Sequence, residues 1–137
     1  MDLARNLTVR INGRCTTKKD QSPPLRVLRD GREICNLRTK AGHDEYVRRK
    51  RAMWERQKRR CCLEGKIKEC PGYLRWSDAV FEHQDGRGDG GGHRDDRIEK
   101  PDPETGKMKP YNGVAHPWCN MLKGSQRIDY TKFYEAM

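Results

Sequence analysis

Apolar residues are scarce in this chain. Of 137 residues, only 33% are hydrophobic and 7% aromatic, while 36% are charged. The length suits one domain with an appendage. So small an apolar stock makes a poor core, and in a small reduced protein a bound metal is the usual supplement. No apolar run approaches the ~20 residues of a membrane-spanning helix, so a membrane partner is not expected. The opening segment, MDLARNLTVR, lacks the apolar stretch of a secretory signal. The expected setting is therefore a reducing cytoplasm, bacterial or phage-infected. There, six cysteines serve better as metal ligands or buried thiols than as disulfides. No internal repeat is present.

Acid is also short. Lys and Arg number 30 against 20 Asp and Glu, a formal net charge of +10. Such an excess favours polyanionic partners, and it is clustered. Residues 44–60, DEYVRRKRAMWERQKRR, form the strongest helix candidate, with Asp44 and Glu45 at its start and basic residues toward its end. Tyr46, Val47, Met53 and Trp54 recur at helical spacing and mark its buried face. Eight of the thirteen residues from Arg48 to Arg60 are Lys or Arg, against one acid, a balance that points to phosphate contact through residues such as Arg48, Arg51 and Arg59.

Around this helix the organisation is coarse. Residues 1–43 read as an N-terminal arm and a hairpin turning at Asp30-Gly31. The segment SDAVFEH reads as a short strand, and Glu104-Thr105-Gly106 turns a second hairpin. HPWCNMLKG reads as a short helix, with Pro117 in its first turn and Gly124 as its stop. The cluster Gly86 to Gly92 is a charged functional loop, and residues 128–137 are a tail.

Zinc takes four N or S ligands in a tetrahedron, commonly as two close pairs from distant segments. His116 and Cys119 make one well-spaced pair. Cys61 or Cys62 with Cys70 makes the other, whose wide spacing requires the loop between to bulge. Cys15 and Cys35 lack such partners and read as small hydrophobes.

Taken in order, the paired cysteines, FEHQDGRG, Asn112 and AHPWCNMLKGS resemble the HNH endonucleases, the ββα-metal nucleases, over about residues 61–127. The resemblance implies an α+β fold whose ββα-metal core is stapled by a structural zinc. It implies His83 as general base and Asn112 as the residue that steadies the loop behind it. Asn120 takes the third motif position. Glu82, where the family usually has Asp, would bind a catalytic Mg²⁺ or Mn²⁺ together with Asn120. Cys61 or Cys62, Cys70, His116 and Cys119 match the zinc-bearing subset, and a phage or mobile element is the implied setting. Asp89, Asp95 and Asp96 are extra acids, one of which could add a ligand. His93, after three glycines, reads as a solvated loop residue.

The residue types suit the chemistry without the family. Phosphodiester cleavage needs an activated water, a cation on the developing charge, and groups that hold the backbone in line. A neutral imidazole can accept the water's proton near neutral pH. A carboxylate and an amide oxygen suit Mg²⁺, whereas thiolates suit zinc. Arg87, Arg94 and Lys123 are candidate phosphate contacts. The expected activity is metal-dependent hydrolysis of DNA, by nicking or double-strand cutting. The alternative is a zinc-stapled nucleic-acid-binding module without catalysis.

Overall fold

The computed structural model describes residues 23–85, 94–124 and 126–136. The chain divides into two compact units, with boundaries after residues 26, 34 and 46. The architecture is α+β, built from short elements.

Strands β1 (Leu25–Val27) and β2 (Glu33–Cys35) form the first hairpin. Its turn closes with Leu28 N–H donating to Arg32 O and Gly31 N–H to Leu28 O, both at 2.9 Å. Gly31 sits at φ +91°, a conformation that a side chain would strain. Cys35 is buried, as its reading as a small hydrophobe requires. Cys15 lies outside the described residues.

Helix α1 runs Lys40–Arg56, four residues ahead of the span expected from Asp44 to Arg60. The cause is Thr39, whose Oγ1 accepts the Gly42 N–H at 3.0 Å and caps the helix. Only glycine fits at 42, since a Cβ there would lie 1.9 Å from Asn36 O. Asp44 is thus one turn inside, where it pairs with Lys40 at 2.8 Å. The helix stops early because Lys58 and Arg59 both turn left-handed, at φ 57° and 60°. Met53 and Trp54 are buried as expected, while Tyr46 and Val47 are only half-buried.

The larger unit carries the remaining elements. Strand β3 (Val80–Glu82) pairs antiparallel with β6 (Gly113–Ala115), in the register Val80–Ala115, Phe81–Val114, Glu82–Gly113. Strands β4 (Glu99–Pro101) and β5 (Met108–Pro110) form the second expected hairpin, turning through Gly106 at φ +74°. Helix α2 (Pro117–Lys123) follows β6 directly, with Pro117 in its first turn and Gly124 at its C-cap. Helix α3 (Thr131–Glu135) ends the described chain.

Met53, Leu63, Leu74, Val114 and Tyr130 are fully buried and form the centre of a small core. Trp54 joins it by donating its indole N–H to Leu74 O at 2.7 Å. Gln57 is buried too, and its amide stands in for a neighbouring strand. Its Oε1 accepts the Val114 N–H at 2.9 Å, and its Nε2 donates to Val114 O at 3.0 Å and to Arg60 O at 2.7 Å.

Much of the basic segment is already engaged within the unit. Arg49 pairs with Glu33 at 3.0 Å and Arg56 with Glu99 at 3.5 Å. Arg59 pairs with Glu55 at 3.0 Å, and Arg60 with Glu64. The guanidinium of Arg51 lies 4.9 Å from the centroids of both Trp54 and Trp76, and Arg59 covers Trp54 at the same distance.

Candidate metal centre and acid–histidine site

Cys61, Cys70, His116 and Cys119 come together, with their ligand atoms all within 4.8 Å of one another. His116 Nδ1 lies 3.7 Å from Cys70 Sγ and 3.8 Å from Cys119 Sγ. A tetrahedral zinc with Zn–S near 2.3 Å sets its ligand atoms roughly 3.8 Å apart. These four groups could therefore hold a metal ion with little rearrangement.

Local structure explains how a loosely spaced set converges. From Cys61 to Cys70 the chain folds back in successive turns, with Glu64 N–H bonded to Cys61 O at 3.0 Å and Cys70 N–H to Ile67 O at 3.1 Å. Gly65, at φ 83°, permits the reversal. On the other side, His116 is extended at the start of α2 and Cys119 lies one turn in. The imidazole is oriented by Tyr73 O, 2.8 Å from Nε2. A carbonyl only accepts, so Nε2 carries the proton and Nδ1 presents its lone pair to the cysteines. Cys61 Sγ also accepts the Leu63 N–H at 3.4 Å.

Without a metal the thiols stay protonated. Burial pushes Cys61 up to about 11 and Cys119 well above the usual thiol value. A divalent cation reverses that preference by binding the thiolates. The choice between the two adjacent cysteines is settled by direction. Cys61 belongs to the cluster, whereas Cys62 packs against Gly113, where an added Cβ would sit 3.0 Å from its Sγ. Burial raises the Cys62 thiol well above its ordinary value. Cys62 is thus a core thiol, and its place among the expected zinc ligands is corrected.

His83 follows β3, its ring stacked on Phe81 at a centroid distance of 4.7 Å. Its Nε2 lies 2.8 Å from Asp96 Oδ1, and the Asp96 side chain is fully buried. Arg94 Nε reaches both oxygens of Asp96, at 3.0 and 2.8 Å. Arg94, expected as a phosphate contact, instead bridges to this carboxylate with a side chain only 19% exposed. Sequence reasoning misses the pairing of Asp96 with His83; its only signal is an acid at the end of the glycine-rich loop. Asn112 clasps the same region. Its Oδ1 accepts the Gln84 N–H at 2.9 Å, and its Nδ2 donates to Asp95 O at 2.6 Å and Arg97 O at 2.7 Å. Its φ of 41° is one that asparagine tolerates better than most residues.

Glu82 and Lys123 depart from expectation together. Their side chains are each 1% exposed and form a buried ion pair through Glu82 Oε2. Tyr130 OH donates to the same oxygen at 3.0 Å, and Lys123 Nζ also donates to His83 O at 2.6 Å. Lys123 is therefore not a surface phosphate contact: helix position places it four residues after Cys119 on the inner face, where Glu82 compensates its charge. Glu82 as it stands does not fit a hydrated Mg²⁺ or Mn²⁺ either, since it is covered and already neutralised. Its other oxygen, Oε1, is buried without a hydrogen-bond partner.

Asn120 is half-buried on α2 beside Cys119, turned about 100° from it around the helix axis. Arg48, Arg51 and Arg59 are exposed. Arg87, Asp89 and His93 lie outside the described residues. Among the described residues no helix is long and apolar enough to cross a membrane. Comparison with protein-family models, curated proteins and solved structures returned no match.

Proposed function

We propose that the protein is a zinc-stapled, HNH-like endonuclease that hydrolyses DNA phosphodiester bonds, with His83 as general base. The observation that supports this reading best is the linkage of two chemistries through one short path. His83 closes β3, β3 pairs with β6, and β6 runs directly into the helix that carries His116 and Cys119. A zinc bound by the three cysteines and His116 would fix α2, and through it the strand pair that presents the imidazole.

In this reading Asp96 holds the His83 ring through Nε2. With the proton on that nitrogen, Nδ1 is the basic atom and takes the proton of the attacking water. The resulting hydroxide adds to phosphorus, and the 3′ or 5′ oxygen leaves with a proton from solvent. Asn112 keeps the backbone on either side of the glycine-rich loop in place. Mg²⁺ or Mn²⁺ is the cofactor such chemistry calls for, to offset charge on the phosphate.

The test is incubation of the zinc-loaded protein with supercoiled plasmid under Mg²⁺, Mn²⁺ or EDTA. Nicked or linear product with either ion, lost in EDTA and in His83→Ala, supports the proposal. No cleavage in any lane, together with salt-sensitive DNA binding, supports the second reading, a zinc-stapled nucleic-acid-binding module. The engagement of Glu82 by Lys123 is the observation that favours that alternative.

A further inference from the structure

The buried Lys123 ammonium sits where oxygen donors converge. Glu82 Oε2 and the main-chain oxygen of His83 both face it, the latter at 2.6 Å. A carboxylate and a carbonyl aimed at one point are the donors that a hard divalent cation takes. Tyr130 adds a hydroxyl to the same carboxylate oxygen at 3.0 Å, and Glu82 Oε1 is buried with no partner to satisfy it. A carboxylate buried with one oxygen unsatisfied is costly to maintain and offers that oxygen to a cation.

We propose that the Lys123 ammonium is an internal cation that competes with a divalent metal for Glu82, so that the two occupy the position in turn and never together. The inference rests on the nuclease reading for its supposition that Mg²⁺ or Mn²⁺ comes to Glu82. Lysine suits the part, because its charge rides on a flexible four-carbon stem. Lys123 also ends α2, directly before Gly124 at φ 63°, so its stem can swing outward without disturbing Cys119 a turn earlier. Once displaced, the ammonium stands at the rim of the site as a phosphate-directed charge. One side chain thereby serves as a plug in the metal-free protein and as a substrate contact in the loaded one.

Competition of this kind lowers apparent metal affinity by the fraction of molecules in which the pair is open. If the pair is closed in nine molecules of ten or more, removing the ammonium should tighten Mn²⁺ binding at least about tenfold. The experiment measures Mn²⁺ binding to the zinc-loaded protein by electron paramagnetic resonance, for the parent, Lys123→Met and Glu82→Gln, with zinc content and circular dichroism checked in each. Tighter binding in Lys123→Met and loss of the site in Glu82→Gln are expected. Equal affinity in the parent and Lys123→Met overturns the proposal.

Should Lys123→Met not fold, the parent supplies the readout. A buried, hydrogen-bonded lysine ammonium gives a ¹⁵N-correlated proton signal, which Mg²⁺ should remove on titration and dialysis should restore. A signal unchanged at saturating Mg²⁺ overturns the proposal. Plasmid cleavage with unaltered Mn²⁺ affinity would remove the competition and leave the nuclease reading intact. The competition signature in a protein that cuts no DNA would remove the nuclease reading alone.

Discussion

His83 is held by three different interactions: it stacks on Phe81, bonds to buried Asp96, and gives its carbonyl to Lys123. If it is the general base, His83→Ala should lower plasmid cleavage by a factor of order 10² or more, with DNA affinity and zinc content retained. Cleavage equal to the parent would remove it from the mechanism. A second contrast separates the adjacent thiols. Cys61→Ser should release the metal and unfold the larger unit, because a structural zinc contributes folding free energy directly. Cys62→Ala should keep about one zinc per chain and cost only core packing, on the order of 1 kcal/mol. Metal analysis and thermal melts of both variants decide the matter, and zinc loss from Cys62→Ala would contradict the assignment. At this scale the ligand set is legible from residue type and spacing. Which of two neighbouring cysteines faces the cluster is not, because that depends on the turn at residues 57–60, where Lys58 and Arg59 both adopt positive φ. Nor does spacing reveal that Lys123 chooses Glu82, a partner 41 positions away.

Elements show where local signals are overruled. The hairpins at Gly31 and Gly106 and the helix from Pro117 to Gly124 follow their turn and cap residues, and these are readable in the sequence. Helix α1 departs from its expected span at both ends. Thr39 caps it ahead of the acids that resemble a first turn, and no glycine or proline announces its stop. Gln57 is equally silent, since nothing in its neighbourhood suggests a side chain acting as a strand. Its role is open to measurement. Gln57→Leu keeps the volume but leaves the buried Val114 N–H without its acceptor, and should destabilise the protein by about 1–3 kcal/mol. Urea denaturation would show this as a lower midpoint at an unchanged slope. An unaltered midpoint would mean that water or a neighbour replaces the amide.

For the whole molecule the question is how a net charge of +10 is distributed. Composition alone makes every basic residue of the segment 48–60 equally available to phosphate. The fold divides them. Arg49 and Arg56 are tied to Glu33 and Glu99, with side chains 12% and 29% exposed, so replacing them should lower stability before it lowers DNA affinity. Arg48, Arg51 and Arg59 remain exposed. Replacing these three with Gln should flatten the dependence of log affinity on log salt by up to about three units, roughly 0.9 for each phosphate no longer neutralised. An unchanged slope would make this face a solvated one. Sequence preference should shift little, since side chains on phosphates position a protein without reading bases.

The stacking of Trp118 on His116, at a centroid distance of 4.3 Å and 21° from parallel, has a consequence for observation. Trp118 is 42% exposed, while Trp54 lies deep in the core at 5%. One indole of the three therefore rests in solvent directly against an imidazole of the cysteine–histidine cluster. Any change in that imidazole's electronic state, from neutral to metal-bound, is felt by the neighbouring excited state. The cluster thus carries its own fluorophore, and metal arrival and departure become visible as a change in the solvent-exposed, red-edge part of the tryptophan emission, with no label attached.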